Sequence, residues 1–231
     1  MTTATERARA VSTMFTRIAH RYDVMNALMT GGRHHAWRRA AAREAVRAPA
    51  GPLLDLATGT ADLALAMRRL DPARTIVGAD FSLGMLAEAR PKLGGSRVAL
   101  TAADALALPF GDRAFAGVVS AFLLRNLVDL EAGLGEMRRV TRPGGRVIAL
   151  DIVKIDRPLW SAIFGLYFHR LVPAIGALVA GDRQAYTYLP DSVDRFLTAR
   201  ELTAAMRRVG LREVRARTFA LGTVGLHVGV A

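Results

Sequence analysis

The 231-residue sequence contains no cysteine and only two lysines, and aromatic residues make up 6% of it. The absence of cysteine excludes disulfides and a thiol nucleophile. The low aromatic content argues against a surface on which nucleic-acid bases stack. No apolar run resembling a secretory signal follows Met1, so we expect a cytoplasmic protein.

Metal-binding patterns are also lacking. None of the five histidines has the spacing to a second histidine and a carboxylate that is typical of a metal site. His34 and His35 are adjacent, and we expect their side chains to point in different directions. The sequence therefore predicts no metal.

Positive charge is abundant and unevenly distributed. Residues 1–50 carry nine arginines and three acids, a balance of +6, and residues 195–217 carry seven arginines and two acids, a balance of +5. The formal net charge of +12 leaves about +1 for the centre. Basic ends of this kind suit contact with nucleic acid or with an anionic membrane surface.

One apolar stretch, Pro158 to Ala180, is long enough to resemble a membrane span. His169 and Arg170 lie at its middle, and a central arginine costs roughly 2.5–3.5 kcal/mol on insertion scales. We therefore predict that this stretch does not cross a membrane.

Short apolar runs alternate with helical patterns through the middle of the chain, which is typical of βαβ units and a parallel sheet. Strands are predicted at 53–57, 75–80, 98–101, 115–122 and 146–153, and helices at 62–70, 82–92 and 130–140. A helix at 198–209 and a hairpin at 211–219 and 223–230 follow. The pattern predicts an α/β, Rossmann-like fold with a mostly parallel seven-stranded sheet and a closing β-hairpin.

The whole chain reads as a single domain of four parts. Residues 1–50 form an N-terminal helical cap, with helical spacing at 11–19 and 36–46. Residues 51–155 form the core of alternating strands and helices. Residues 156–195 form an apolar helical insertion over the sheet, and residues 196–231 form the last helix and the hairpin.

The strongest local signal is a strand that runs from Leu54 into a turn of small residues at Gly59 and Thr60. Small residues let the backbone approach a ligand closely. Asp80 ends the next strand, 25 residues after Asp55, where a carboxylate can accept the hydroxyls of a ribose. These features indicate an adenosine cofactor. The G-x-G-x-x-G pattern of dinucleotide folds is missing, which favours S-adenosylmethionine over NAD.

Further cofactor contacts are expected at the ends of successive strands. Asp104 and Ala105 follow the third strand and could meet the adenine, and Ala121 ends the fourth, above the methionine part of the cofactor. The alternative for each aspartate is a helix cap or a turn residue. The predicted cofactor-binding residues are Asp55, Gly59, Thr60, Asp80, Ser82, Met85, Asp104, Ala105 and Ala121.

Motifs along nearly the whole chain resemble those of the ubiquinone and menaquinone biosynthesis C-methyltransferases. The most specific are Tyr22-Asp23, Arg125-Asn126 and Tyr186-Thr187-Tyr188-Leu189. The strand-one turn and Pro143-Gly144-Gly145 are shared by many methyltransferases. The chain departs from this family at Ala61, where glycine is usual, at Leu123 and at Leu197. We expect Leu123 to lie closer to the acceptor than to the cofactor, so this departure affects the identity of the acceptor more than that of the cofactor.

The resemblance implies a class I methyltransferase that methylates a ring carbon of a prenylated quinol. It implies that Arg125 stabilises the phenolate, that Asn126 orients a hydroxyl, and that Tyr22 contacts cofactor or acceptor. His34 is the expected proton acceptor, directly or through a water. The alternatives are an ion pair of Arg125 with Asp129, core packing of Tyr22, and a structural hydrogen bond of His34.

The implied partners are the prenylated quinol and an anionic membrane surface. The enzyme is then expected to be peripheral on the inner face of the cytoplasmic membrane. We expect no binding of nucleic acid. The choice between naphthoquinol and benzoquinol stays open, as does that between monomer and homodimer. Two rival functions remain, a methyltransferase acting on another small aromatic metabolite and an RNA-binding or RNA-modifying protein.

Overall fold

The computed structural model describes residues 4–155, 165, 168 and 183–231. Its sheet has seven strands in the order β3-β2-β1-β4-β5-β7-β6, and only β7 runs antiparallel to its neighbours. The strands are β1 Leu53–Leu56, β2 Ile76–Asp80, β3 Val98–Ala102, β4 Phe115–Ala121, β5 Thr141–Ile152, β6 Arg212–Phe219 and β7 Val224–Val230. This is the predicted Rossmann-like α/β architecture.

Helices connect the strands and lie on both faces of the sheet. Those in the described residues are α1 Ala4–Thr30, α2 Arg33–Ala45, α3 Asp62–Leu70, α4 Leu83–Leu93, α5 Leu130–Arg139, α6 Arg183–Asp194 and α7 Ala199–Arg208. Side-chain caps begin three of them. Ser82 caps α4, Asp129 caps α5, and Thr198 forms a capping box with Glu201 on α7.

The strands and helices match the sequence prediction apart from their ends. β5 begins at Thr141 and not at Arg146, because Thr141 pairs with Phe115 of β4 and the backbone beyond Pro143 pairs with the end of the chain. Gly144 donates to the carbonyl of Ala231, whose own N–H returns a bond to Gly145, both at 3.0 Å. The turn predicted from Pro143-Gly144-Gly145 is therefore part of the sheet.

The core lies on both faces of the sheet because alternate side chains of a strand point to opposite sides. Leu54 of β1 packs with Leu134 of α5 and Leu202 of α7. Its neighbour Leu53 packs with Ala41 of α2 and Met67 of α3. Full burial of such a leucine or methionine contributes roughly 1.5–3 kcal/mol. α2 is therefore part of the central core, and α1 is the N-terminal helix that lies over the cleft.

No helix in the described part of the chain has the length and hydropathy needed to cross a membrane. The apolar stretch Pro158 to Ala180 lies outside the described residues except at positions 165 and 168.

α1 is held against the start of α4 and the end of β1 by specific contacts. The Thr16 hydroxyl lies 2.8 Å from that of Ser82, and a Cβ on Gly84 would come within 2.6 Å of the Thr16 side chain. Glycine at position 84 therefore allows the two helices to approach.

Lys92 of α4 joins three parts of the fold. Its ammonium donates to Asp23 of α1 at 2.7 Å and to Asp62 of α3 at 2.6 Å, and Thr60 donates its hydroxyl to Asp23 at 2.8 Å. Asp62 also pairs with Arg38 of α2 at 3.3 Å. Charge thus links α1, α2, α3 and α4 at one end of the sheet.

We expect Lys92→Met to lower the free energy of unfolding by about 1 kcal/mol, because Asp23 loses its cation and α1 loses an attachment. Lys154→Met is the matched control, since Lys154 is the other lysine and its side chain is exposed. Urea unfolding of both variants measures the difference. Equal stability of the two would show that the Lys92 contacts contribute nothing.

Candidate active site

The turn after β1 lies where the strand order reverses, between β1 and β4, at the carboxyl edge of the sheet. Open parallel sheets bind ligands at this position. Gly59 has a φ of +56°, and a Cβ there would meet nothing within 4 Å, so the turn opens onto free space. Its N–H donates to Oδ2 of Asp80 at 2.8 Å, while Oδ1 of Asp80 accepts from the N–H of Ser82 at 2.8 Å. Asp80 therefore joins the turn to the start of α4.

Two alanines in this turn adopt the left-handed backbone region that favours glycine. Ala57 has a φ of +58° and Ala61 a φ of +67°. This conformation costs an alanine roughly 1–2 kcal/mol. Ala61 is the position at which the chain departs from the resembling family, so the departure strains the backbone as well as adding a methyl group. That methyl is fully buried in the core, which offsets part of the cost.

Asp55 at the end of β1 is a buried carboxyl group with one free oxygen. Its Oδ2 accepts the Thr58 hydroxyl at 2.7 Å, and its Oδ1 has no partner within the described chain. Burial raises the pKa of Asp55 to about 7, against the lowering effects of the Thr58 hydroxyl, the Ala64 N–H and Arg38. A cationic group of a ligand placed beside Oδ1 would favour the carboxylate.

The predicted cofactor residues come together around one cleft. Gly59, Asp80, Ser82, Met85, Asp104, Ala105 and Ala121 line its main part, about 130 Å³ in volume. Asp55 and Thr60 line a narrower extension that also contains Gly59 and Ala121. Asp104 accepts the N–H of Leu106 at 2.9 Å through Oδ1 and so also serves as a turn residue. Burial raises the pKa of Asp80, and the N–H groups of Ser82 and Gly59 oppose that rise.

A second cavity of about 240 Å³ adjoins this cleft, and its lining is mostly apolar. All four predicted catalytic residues line it, namely Tyr22, His34, Arg125 and Asn126. The cleft and the cavity share four lining residues, which are Phe15, Tyr22, Phe122 and Asn126. A ligand bound in the cleft therefore faces a ligand bound in the second cavity across this shared wall.

Arg125 is held by Asp151 and not by Asp129, the partner that the sequence suggested as an alternative. Asp129 instead caps α5 by accepting the N–H of Ala132 at 2.9 Å. The Arg125 guanidinium donates through Nη1 to Asp151 at 2.6 Å and to the carbonyl of Phe122 at 2.9 Å. Both charged side chains are almost wholly buried, at 5% and 0% exposure. The ion pair fixes the guanidinium in the wall of the second cavity.

Asp151 and Tyr188 are site residues that sequence reasoning missed. Asp151 is the one charged residue in the apolar run from Val147 to Ile152, and that isolation was the available signal. Tyr188 lines the second cavity and donates to Oδ1 of Asn126 at 3.3 Å. Because Nδ2 of Asn126 donates to the carbonyl of Phe122 at 3.1 Å, the amide is fixed at both ends.

Three buried polar atoms of residues that line the second cavity have no hydrogen-bond partner within the described chain. They are the donors Asn26 Nδ2 and Arg125 Nε, and the ring nitrogen His34 Nε2. An unpaired buried polar group costs roughly 1–3 kcal/mol. Such atoms beside an apolar cavity mark this part of the chain as a candidate ligand site.

The sequence suggested that the side chains of His34 and His35 point in different directions, but in the structure the two rings lie together. Their ring centroids lie 3.9 Å apart, because neighbours on a helix diverge by only about 100° and both rings reach the same space. With Asp62 they form a group whose ligand atoms all lie within 4.8 Å. The Asp62 oxygens already bind Lys92 and Arg38, and these cations would repel a metal ion. We assign no metal to this group.

Comparison with known proteins identifies the family. The model of the ubiE/COQ5 methyltransferase family matches residues 1–231. The chain belongs to this family.

Its relatives share sequence over most of their length. A demethylmenaquinone methyltransferase from Deinococcus radiodurans is 42% identical over 97% of this chain and 93% of its own. The ubiquinone/menaquinone biosynthesis C-methyltransferase UbiE of Desulfotalea psychrophila is 40% identical over 95% of this chain and 89% of its own. An S-adenosylmethionine-dependent methyltransferase from Thermotoga maritima has the same fold, with a TM-score of 0.65 and 18% identity over 94% of this chain and 98% of that one.

This ubiE/COQ5 family member is an S-adenosylmethionine-dependent methyltransferase, and the cleft fits that cofactor. Asp55 places a carboxyl group beside the narrow part of the cleft, and the turn at Gly59 leaves open space for a ligand. Asp80 and Asp104 offer further carboxylate oxygens along the same cleft.

We expect Asp80→Ala to weaken S-adenosylmethionine binding tenfold or more, because it removes charge-assisted hydrogen-bond acceptors and frees the turn at Gly59. Asp80→Asn should bind with intermediate affinity, since the amide retains one acceptor oxygen. Calorimetric titration of the purified variants measures the affinities. Unchanged affinity in the alanine variant would remove Asp80 from the binding site.

Proposed function

We propose that this enzyme transfers a methyl group from S-adenosylmethionine to a ring carbon of a prenylated quinol. The observation that carries the proposal is the second cavity, a mostly apolar space of about 240 Å³ that adjoins the cleft and is lined by Tyr22, His34, Arg125 and Asn126. A quinol is a flat apolar ring with hydroxyl groups, and it suits an apolar cavity with a few polar side chains in its wall. The names of the relatives, which refer to demethylmenaquinone and to ubiquinone and menaquinone biosynthesis, support the same substrate class.

The quinone pool of a strain that lacks the gene tests the substrate. We expect mass spectrometry to find one species that lacks a single methyl group, and its ring system would decide between naphthoquinol and benzoquinol. An unchanged pool would favour the rival acceptor, another small aromatic metabolite.

Arg125 has the chemistry to make the ring carbon nucleophilic. S-adenosylmethionine supplies an electrophilic methyl group, and a quinol attacks it best after a neighbouring hydroxyl has ionised. A phenol has a pKa near 10, so ionisation at pH 7 costs about 4 kcal/mol. The guanidinium lies in the wall of the second cavity, and its positive charge can offset this cost.

Alignment of the two ligands across the shared wall can supply the rest of the rate acceleration. Tyr22 and Phe122 line both the cleft and the cavity, so the two ligands meet beside these rings. Holding two reactants in line can contribute roughly 7–11 kcal/mol. Asn126, fixed by Phe122 and Tyr188, adds a polar group at the same wall.

His34 is the proton acceptor in this proposal. Burial and the nearby Arg38 lower its pKa to about 4, so the ring is neutral at pH 7. Taking a proton from a phenol would then be uphill by about 6 pKa units, or about 8 kcal/mol. The proton on the newly methylated ring carbon is far more acidic, because its loss restores the aromatic ring. His34 therefore suits removal of that proton, with the C–H electrons returning to the ring.

We expect Arg125→Ala to reduce turnover on a reduced quinol by roughly 10²-fold while S-adenosylmethionine affinity stays nearly intact. Arg125→Lys should recover part of the activity, because it keeps a cation beside Asp151 but loses the planar fork. Raising the pH should narrow the deficit of the alanine variant, as hydroxide then supplies the phenolate. Steady-state kinetics across pH measures these effects.

Arg125→Ala also leaves the Asp151 carboxylate buried without its cationic partner, a change that can cost 3–5 kcal/mol of stability. Unfolding curves are therefore needed beside the kinetics. Equal loss of cofactor binding and turnover, with no pH dependence in the ratio to the wild type, would mean that Arg125 is structural.

The same proposal places the enzyme at an anionic membrane surface, where prenylated quinols reside. The exposed strand β6 carries Arg212, Arg215 and Arg217. It leads into a turn at Ala220, which lines the second cavity, and Leu221, which is 69% exposed. Both turn residues have a positive φ, so the backbone is strained while it presents an apolar side chain to solvent. Basic residues beside an exposed leucine suit a lipid surface.

We expect the protein to cosediment with anionic vesicles and to be released by salt, because exposed charges are screened beyond about 8 Å at physiological ionic strength. Leu221→Ser should weaken this binding several-fold. Leu83→Ser is the matched control, since Leu83 is 70% exposed at the start of α4. Binding that is independent of lipid charge, or equal in the two variants, would contradict this docking face.

A further inference from the structure

We propose that Thr30 is a positioning residue that fixes the tautomer of His34, so that Nδ1 carries the proton and Nε2 is left unprotonated. This inference rests on the proposed function, in which His34 receives a proton. It adds a residue that touches His34 and selects which ring nitrogen can act.

The hydrogen bonds around the Thr30 hydroxyl determine where its proton lies. Oγ1 is 2.6 Å from the backbone carbonyl oxygen of Asn26, one turn earlier in α1, and 2.9 Å from Nδ1 of His34. A carbonyl oxygen only accepts, and a hydroxyl has one proton to donate. The shorter contact takes that proton, so the Thr30 hydroxyl donates to Asn26.

The oxygen of Thr30 is then an acceptor for His34. It receives the backbone N–H of His34 at 3.3 Å, and its remaining lone pair faces Nδ1. Nδ1 must therefore carry the hydrogen of the neutral imidazole. A neutral imidazole has one N–H, so Nε2 has a lone pair and no proton.

The surroundings keep His34 neutral. Burial disfavours the charged ring, and Arg38 and His35 of α2 disfavour it further, while Asp62 of α3 and Asp23 of α1 act in the opposite direction. The net effect lowers the pKa of His34 to about 4. Arg33 and Arg125 line the same cavity, and the charge of Arg125 is balanced by Asp151.

Nε2 has no partner within the described chain and belongs to a residue that lines the acceptor cavity. A buried lone pair left unpaired is costly in a resting protein, but it is the form that a proton acceptor needs. The other tautomer would place a hydrogen on Nε2, and His34 could not then accept a proton there.

Nitrogen-15 NMR of histidine-labelled full-length protein tests the tautomer without any quinol. We expect the wild-type His34 signal, identified by its loss in His34→Gln, to show protonated Nδ1 and unprotonated Nε2 at neutral pH. Thr30→Ser should keep this pattern. Thr30→Val has the same shape but no hydroxyl, and should shift the population toward protonated Nε2 because Nδ1–H loses its acceptor.

The matched control is Thr141→Val, because Thr141 makes the same bond to a carbonyl one turn earlier, at 2.6 Å to Met137, and no bond to a histidine. With a quinol acceptor, Thr30→Val should lower kcat about tenfold with little change in KM or in S-adenosylmethionine affinity. Thr30→Ser should restore kcat.

Protonated Nε2 in the wild type, or an unchanged tautomer in Thr30→Val, would overturn the inference. A tautomer shift in Thr30→Val with normal turnover would support the role of Thr30 and refute His34 as the proton acceptor. Failure of the Thr30 inference can thus be distinguished from failure of the proposed role of His34.

Discussion

The ion pair between Arg125 and Asp151 is the interaction on which the acceptor site depends. Moving two charges out of water costs several kcal/mol per ion, and this cost is recovered only when the geometry is good and other hydrogen bonds are added. Asp151 meets that requirement by also accepting the N–H groups of Arg125 and Ile152, at 3.3 and 2.8 Å. The guanidinium therefore has a fixed direction, and the carbonyl of Phe122 that it binds also holds Asn126.

The sequence predicted most of the fold and of the cofactor cleft because the signals there are local. Asp80 follows an apolar strand directly, and Ser82 stands where a helix begins, so their positions at one edge of the sheet follow from strand order. The caps and strand ends that place these residues involve neighbours only a few positions apart. Errors in the strands and helices were confined to their ends, as at β5, where pairings with Phe115 and Ala231 extend the strand back to Thr141.

The acceptor site was predicted less completely because its contacts join distant parts of the chain. The partner of Arg125 is 26 residues away and that of Asn126 is 62 residues away, so spacing gave no hint of either. Asp129 was the suggested partner because it is near in sequence, but its carboxylate is used as a helix cap. The stacked His34 and His35 rings likewise depend on rotamers, which a helical pattern does not specify.

α1 contributes to both ligand sites through one continuous helix. Phe15 and Tyr22 line the cofactor cleft and the acceptor cavity together, while Asp23 ties the same helix to Thr60 and Lys92 beside the cleft. A ligand that orders α1 in one site has already met part of the ordering cost for the other. If either ligand orders α1, this coupling is reciprocal, and each ligand then increases the affinity for the other by the same factor.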